Sequence, residues 1–253
     1  MALERYAILN DVHHPYEDKQ RYSIALNIMK SVTLNHIYLN GDIAEFQGVS
    51  SYPTHPSERI DFCTELAYLN KRFDELMELF PDVPVTYICG NHEYRFFRYI
   101  RDMAPAMWGT IDCPKILQFD RRPKWKFVDY GPDQLVRCGK SNLYLKHEPL
   151  GGGANPAKVT AESSYIDIAS GHVHRYCTFS HKKFGPDPII NTAYCLGWLG
   201  DPKRHVFDYR GSKDSWVRGF SIVECEIKTG KYALDFINLE KIPVFYRGSS
   251  FKP

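Results

Sequence analysis

The chain has 253 residues, 43% hydrophobic and 25% charged, which fits one large globular domain and excludes a disordered or fibrous chain. Its 32 Lys and Arg against 30 Asp and Glu leave a formal charge of +2. That balance excludes global attraction to nucleic acid or membrane, so any basic site must be local. No apolar run reaches the ~18 residues needed to span a bilayer, and the first residues enter a strand-like pattern without an apolar signal core. The seven cysteines are scattered, odd in number and without a C-x-x-C pair. Together these features predict a soluble cytoplasmic protein with reduced thiols and no membrane partner.

In chain order, Tyr6 to Leu9 reads as a strand, Tyr22 to Met29 has apolar residues at helical spacing, and His36 to Leu39 reads as a second strand. Arg59 to Phe80 carries Phe62, Leu66, Leu69, Phe73, Leu76, Met77 and Phe80 on one stripe, which predicts a helix stopped by Pro81 and Pro84. Val83 to Cys89 is a third strand. The alternation implies parallel strands joined by crossover helices. Residues 94–126 then hold eight basic residues against three acidic ones. Strands follow at Leu143 to Lys146, Tyr165 to Ala169 and Ile189 to Tyr194, with a hairpin from Phe220 to Ile227 and Tyr232 to Ile237. No linker divides the chain, so 1–253 reads as a single domain, with 240–253 as a tail packed on its surface.

Five segments stand directly after strand-like runs: Asp11-Val12-His13, Gly41-Asp42, Gly90-Asn91-His92-Glu93, His147, and Gly171-His172-Val173-His174. Ligands of an open α/β sheet bind at the carboxyl ends of its strands, so these residues are expected to meet in one crevice. Carboxylate, imidazole and amide oxygen without thiolate suit two divalent ions, manganese first among Mn, Fe, Zn, Co and Ni. Asp11 with His13, and His172 with His174, stand two apart. In an extended stretch each pair could chelate from one side. Asp42 has two oxygens and can bridge two ions. Two cations with two aspartates leave a positive surplus suited to a phosphate, and ions about 3.5–4 Å apart can clamp a phosphoryl group.

In this order the five motifs resemble those of the calcineurin-like metallophosphoesterase superfamily, over about two thirds of the chain from Asp11 to His174. The resemblance implies an α/β fold, a four-layer sandwich of two central mixed β-sheets flanked by helices. It implies that Asp11, His13 and His174 hold one metal and that Asn91, His147 and His172 hold the other, with Asp42 bridging them. His92 would be the extra histidine near the leaving group. The reaction it implies is phosphoester hydrolysis by metal-activated hydroxide.

Two departures refine this expectation. In the protein-phosphatase branch the second motif reads G-D-x-x-D-R, whereas this chain has Gly41-Asp42-Ile43-Ala44-Glu45-Phe46. Glu45 is placed to keep the proton on His92, because two nearby cations disfavour an imidazolium. Phe46 replaces a phosphate-binding Arg, which counts against a phosphoprotein phosphatase. Arg95, Arg98 and Arg101 with their interleaved aromatics read either as a polar helix face over a packed aromatic one, or with Arg95 or Arg98 taking over that phosphate contact or gripping a nucleic-acid backbone. Phe46 or Tyr94 could stack a base, with burial the first reading for each ring. Gly151-Gly152-Gly153 reads as a loop serving His147, since it lacks the G-K-[ST] of a P-loop. His14, His36, His55, His181 and His205 read singly as surface or packing residues. The expected activity is a phosphodiesterase or nuclease acting on nucleic acid or nucleotides. The alternatives are a phosphomonoesterase on small metabolites or phosphoproteins, and a metal-binding regulatory protein without turnover.

Overall fold

The computed structural model describes residues 2–53, 55–186, 188–210 and 213–253. The strands and helices run β1 (Leu3–Leu9), α1 (Lys19–Lys30), β2 (His36–Asn40), α2 (Phe62–Leu79), β3 (Val85–Ile88), α3 (Tyr94–Met103), α4 (Cys113–Ile116), β4 (Trp125–Val128), β5 (Val136–Arg137), β6 (Leu143–Lys146), α5 (Pro156–Ser163), β7 (Asp167–Ser170), β8 (Cys177–Lys183), β9 (Ile189–Cys195), β10 (Gly219–Glu226), β11 (Tyr232–Asn238), β12 (Val244–Tyr246) and β13 (Ser249–Phe251). The strands form a six-stranded sheet in the order β11-β10-β1-β2-β3-β4 and a five-stranded sheet in the order β5-β6-β7-β9-β8. Both are mixed. In the first, β1 to β4 are parallel. In the second, β6, β7 and β9 are parallel.

The layers follow from strand alternation. On β1, Ala7 and Leu9 join the core beneath the helices, while Tyr6 and Ile8 join the core between the sheets. Ile37 and Leu39 of β2 face the helices, and Tyr38 faces inward. Leu143, Leu145 and Ala169 close the middle core from the second sheet. On its outer face Ala193 and Cys195 pack under Ala157 and Ala161 of α5. The result is helices, sheet, sheet and helix, the four-layer sandwich that the resemblance implies. A fully buried Leu or Ile such as Leu9 or Ile8 contributes about 2 kcal/mol.

Element limits moved where caps intervene. Helix α2 starts at Phe62 rather than Arg59, because Asp61 accepts from the Thr64 amide at 3.0 Å and so caps it. The final residues form the β12–β13 hairpin, whose Val244 is buried in the helix-side core. Among the described residues no helix is long and apolar enough to cross a membrane.

Candidate metal centre

The expected crevice lies at the carboxyl ends of two sheets rather than one. Asp11, Asp42 and Asn91 follow β1, β2 and β3, and His147 and His172 follow β6 and β7. Beyond the strands the loops are laced together. The Asp11 amide donates to Gly41 O at 3.0 Å, His13 to Asp42 O at 2.9 Å and His14 to Ile43 O at 2.8 Å. Gly90 and Gly171 are required by close approach, since a Cβ would collide with Asp42 at the first and with Asp11 at the second.

Asp11, His13, Asp42, His172 and His174 all adopt left-handed backbone, with φ of 50–66°. Such conformations cost about 1 kcal/mol or more each and cluster at functional sites. They also correct the extended-strand geometry, although Asp11 and His13 still fall in one donor group. His172 and His174 do not chelate from one side: they belong to different clusters, because neither is extended.

Two groups of donors converge, with the ligand atoms of each within 4.8 Å of one another: Asp11, His13 and His174, and Asp42, His147 and His172. In the first, His174 Nε2 lies 3.3 Å from Asp11 Oδ1 and 3.1 Å from His13 Nε2. In the second, His147 Nε2 lies 3.2 Å from Asp42 Oδ2, and Asn91 Oδ1 lies 3.1 Å from His147 Nε2 and 2.8 Å from His172 Nδ1. The halves interlock: the His172 amide donates to Asp11 Oδ2 at 2.9 Å, and the His92 amide to Asp42 Oδ1 at 2.9 Å. A further group of His13, Asp42 and His92 joins them.

Outer partners turn the imidazoles inward. His13 Nδ1 lies 2.7 Å from Glu45 Oε2, and His147 Nδ1 lies 3.0 Å from Asn40 O. An oxygen at Nδ1 fixes the tautomer whose Nε2 lone pair points to a cation. Electrostatics agree with a cation site. Burial pushes the His174 ring down to about 4, leaving its lone pair free, and burial also lowers His172. Burial alone would lower His147 too, but Asp42 and Asp11 outweigh it and lift the ring to about 10. Against burial, the neighbouring histidines hold Asp11 and Asp42 in their charged forms. Two buried carboxylates with imidazole nitrogens and an amide oxygen around them fit divalent cations of the borderline class, and the proton they hold at His147 is one a cation would displace.

Several contributors are not evident in the sequence. Glu93, fully buried, accepts from the amides of Asp42, Ile43, Ala44 and Gly90 and from the Tyr87 hydroxyl, and so moulds the loop that carries Asp42. Trp198 stacks on His174 at 4.7 Å, and Phe207 and Trp216 close an apolar wall around it and His13. A cleft of about 790 Å³ opens beside the centre, lined by Asn91, His92, Arg95, Tyr52, His55 and His205 among others. The His55 and His205 rings stack at 4.6 Å, and Tyr52 is 63% exposed. Nothing in the spacing of these residues signals that they meet.

Other expectations have mixed outcomes. Glu45 reaches His92 as expected and has two further partners. Its Oε2 lies 2.7 Å from His13 Nδ1 and 3.0 Å from His92 Nδ1, while Arg95 Nη1 donates to Oε1 at 2.8 Å. Arg95 is buried and also donates to His92 Nε2 at 3.0 Å. Arg98, one turn further along α3, is not among the residues lining the cleft. Phe46 is fully buried against Phe62 and Phe96 and Tyr94 packs on Tyr130, so neither faces the cleft to stack a base. The basic stretch is partly structural: Arg122 is fully buried, paired with Asp74 and bonded to the carbonyl of Leu117. His14 packs on Tyr22 beside Glu17, and His36 bonds to Thr86.

No family model matches the chain. Among curated proteins it is similar to the Gene 54 protein of Mycobacterium phage L5, 20% identical over 233 residues, and to that of Mycobacterium phage D29, 22% identical over 233 residues. Each match covers 87% of this chain and 88% of the relative. Among solved structures it is similar to Vacuolar Protein Sorting 29 from Cryptosporidium parvum, at 13% identity and a TM-score of 0.46, covering 94% of this chain and 99% of that one. A dimetal phosphatase from Danio rerio matches at 9% identity and a TM-score of 0.38, covering 87% and 92%.

Proposed function

We propose that this chain is a dinuclear metal-dependent phosphohydrolase, a phosphodiesterase acting on nucleotides or nucleic acid. The observation that carries the reading is two adjoining donor clusters set between buried Asp11 and Asp42, with Asn91 and His92 shared by the cleft. Asp11, His13 and His174 would hold one ion, Asn91, His147 and His172 the other, and Asp42 both. When bound, two divalent ions lower the pKa of water and neutralise charge on a phosphoryl group.

The protein's own groups do the rest. Glu45 and Asn40 orient His13 and His147, and the wall of Trp198, Phe207 and Trp216 excludes water from one side. His92 and Arg95 border the cleft next to Asn91. Arg95 brings the positive charge for a nonbridging oxygen, the role left open by Phe46. That contact draws its guanidinium from His92 Nε2, and His92 then handles the proton at the leaving oxygen. Tyr52 and the His55–His205 stack offer ring faces for a base, which favours a nucleotide over a small alkyl ester.

The test is hydrolysis by the purified, Mn-loaded chain of bis(p-nitrophenyl) phosphate, p-nitrophenyl phosphate and single-stranded DNA. Cleavage of the diester and the DNA is expected. Rapid cleavage of the monoester alone would replace the reading with a phosphomonoesterase. Two bound ions without hydrolysis of any of the three would favour a metal-binding regulatory protein.

A further inference from the structure

Cys177 and Cys195 begin and end neighbouring antiparallel strands and stand directly opposite one another in the β8–β9 register. Opposite residues in such a ladder have Cα atoms about 4.5–5.5 Å apart and side chains on one face. A disulfide spans Cα separations of about 4.4–6.8 Å. Both thiols lie on the face covered by α5, packed with Ala157 and Ala161, small side chains that leave the sulfurs room to meet. Their accessibilities differ: Cys195 is buried, whereas Cys177 is partly exposed. The other thiols lack this arrangement. Cys63 is exposed on α2, and Cys89, Cys113, Cys138 and Cys225 are buried.

We propose that Cys177 and Cys195 are a redox pair that closes a reversible intrachain disulfide by exchange with a small-molecule disulfide. The Cys177 thiolate attacks one sulfur of the oxidant, whose S–S bond breaks and releases one thiol, leaving a mixed disulfide on Cys177. Cys195 then gives up its proton and attacks the Cys177 sulfur, expelling the second small thiol. Two protein S–H groups are oxidised, one disulfide is reduced, and the two protons leave on the two small thiols. The order follows from access, because of the two only Cys177 can be reached from solvent. The neighbouring Cys195 thiol pulls Cys177 down to about 6, which favours its thiolate at neutral pH.

The bond would tie together two chain segments of the metal centre. His174 stands three residues before Cys177, and Trp198, stacked on it, stands three residues after Cys195. The pairing itself rests on strand register alone and holds whether or not the chain is a hydrolase.

The experiment uses the full chain carrying Cys63→Ser, which removes the exposed thiol. After incubation with excess glutathione disulfide, thiols are counted in denaturant and unreduced peptides are mapped by mass spectrometry. Two thiols are expected to disappear, a peptide pair joining Cys177 to Cys195 to appear, and dithiothreitol to reverse both. Adding Cys195→Ser should halt the reaction at a glutathione adduct on Cys177, and adding Cys225→Ser should change nothing. An unchanged thiol count, a persistent adduct on Cys177 with Cys195 intact, or a bridge between other cysteines would overturn the proposal.

Discussion

Glu45 Oε2 lies 2.7 Å from His13 Nδ1, both side chains are buried, and the other carboxylate oxygen takes a 2.8 Å hydrogen bond from Arg95. A carboxylate at Nδ1 fixes which imidazole nitrogen is left for a cation and raises its basicity. Glu45 stays charged although burial opposes it, because His92 and Arg95 hold its carboxyl well below the usual range. It therefore touches both the candidate metal centre and the His92–Arg95 wall of the cleft.

Replacing it should show first in metal binding. Glu45→Ala is expected to lower affinity for Mn by about 10–100-fold, the usual effect of losing a partner behind a ligating histidine. Calorimetric titration of the metal-free protein measures this directly. Full affinity with only a turnover defect would return Glu45 to the narrower role of partner to His92.

Asp42 makes a different demand. It stands within 3.2 Å of His147 and 3.7 Å of His92, and it belongs to two of the three donor groups. Asp42→Asn removes the charge both ions would share, so both should weaken and hydrolysis should fall at least 100-fold, by analogy with the loss of a principal electrostatic contact. Elemental analysis gives the metal content and a diester assay the rate. Two ions retained per chain would exclude the bridging position.

What the sequence disclosed and what it hid divide along a physical line. The strands at Tyr6–Leu9 and Val83–Cys89 and the stripe of Phe62, Leu69 and Phe73 were readable because periodicity is local. The donors were readable because each directly follows such a run. Glu93 was visible only as the last letter of a motif, although its carboxylate gathers amides from two loops. His55 and His205 read singly as surface or packing residues and Tyr52 carries no signal at all, because their meeting depends on two distant segments folding over one cleft. Arg122 looked like part of a basic patch and is buried, since a charge count does not register Asp74 forty-eight positions away. Left-handed backbone at His172 and His174 is likewise a property of the folded loops, so the shared-site expectation failed for that pair, while Asp11 and His13 do meet in one donor group.

Glu93 gives a stability test. Four amides and a hydroxyl converge on its buried carboxylate. Glu93→Gln puts an NH2 group where donors already point, leaving at least one amide unpaired. Hydrogen bonds to a charged group contribute about 1.5–3 kcal/mol each, and an orphaned buried donor costs about 1–3 kcal/mol. A loss of about 3 kcal/mol in metal-free protein is expected, read from the urea midpoint at unchanged m-value. A change below about 1 kcal/mol would mean that the 42–44 loop holds its shape without this carboxylate.

Glu65 carries the pH dependence. It is fully buried on α2 and accepts from the amides of Gln47 and Gly48, at 3.1 Å each, in the segment that brings Gln47 to the cleft. Burial drives its carboxyl up to about 7 from 4.5, more than the two amides can offset. The folded chain therefore holds this proton more tightly than the unfolded chain. Its contribution is fully present below about pH 4.5 and is lost as pH rises through about 7, where the unfolded state ionises freely and the folded state does so at a cost. The difference corresponds to about 3 kcal/mol. Glu65→Gln keeps an acceptor oxygen and cannot ionise, so the variant should lack this decline. Urea midpoints of both metal-free proteins at pH 5 and pH 8 isolate the effect, because every other titrating group is common to the two. The native chain should lose more stability between those pH values than the variant does, and equal losses would show that the buried carboxylate ionises without penalty.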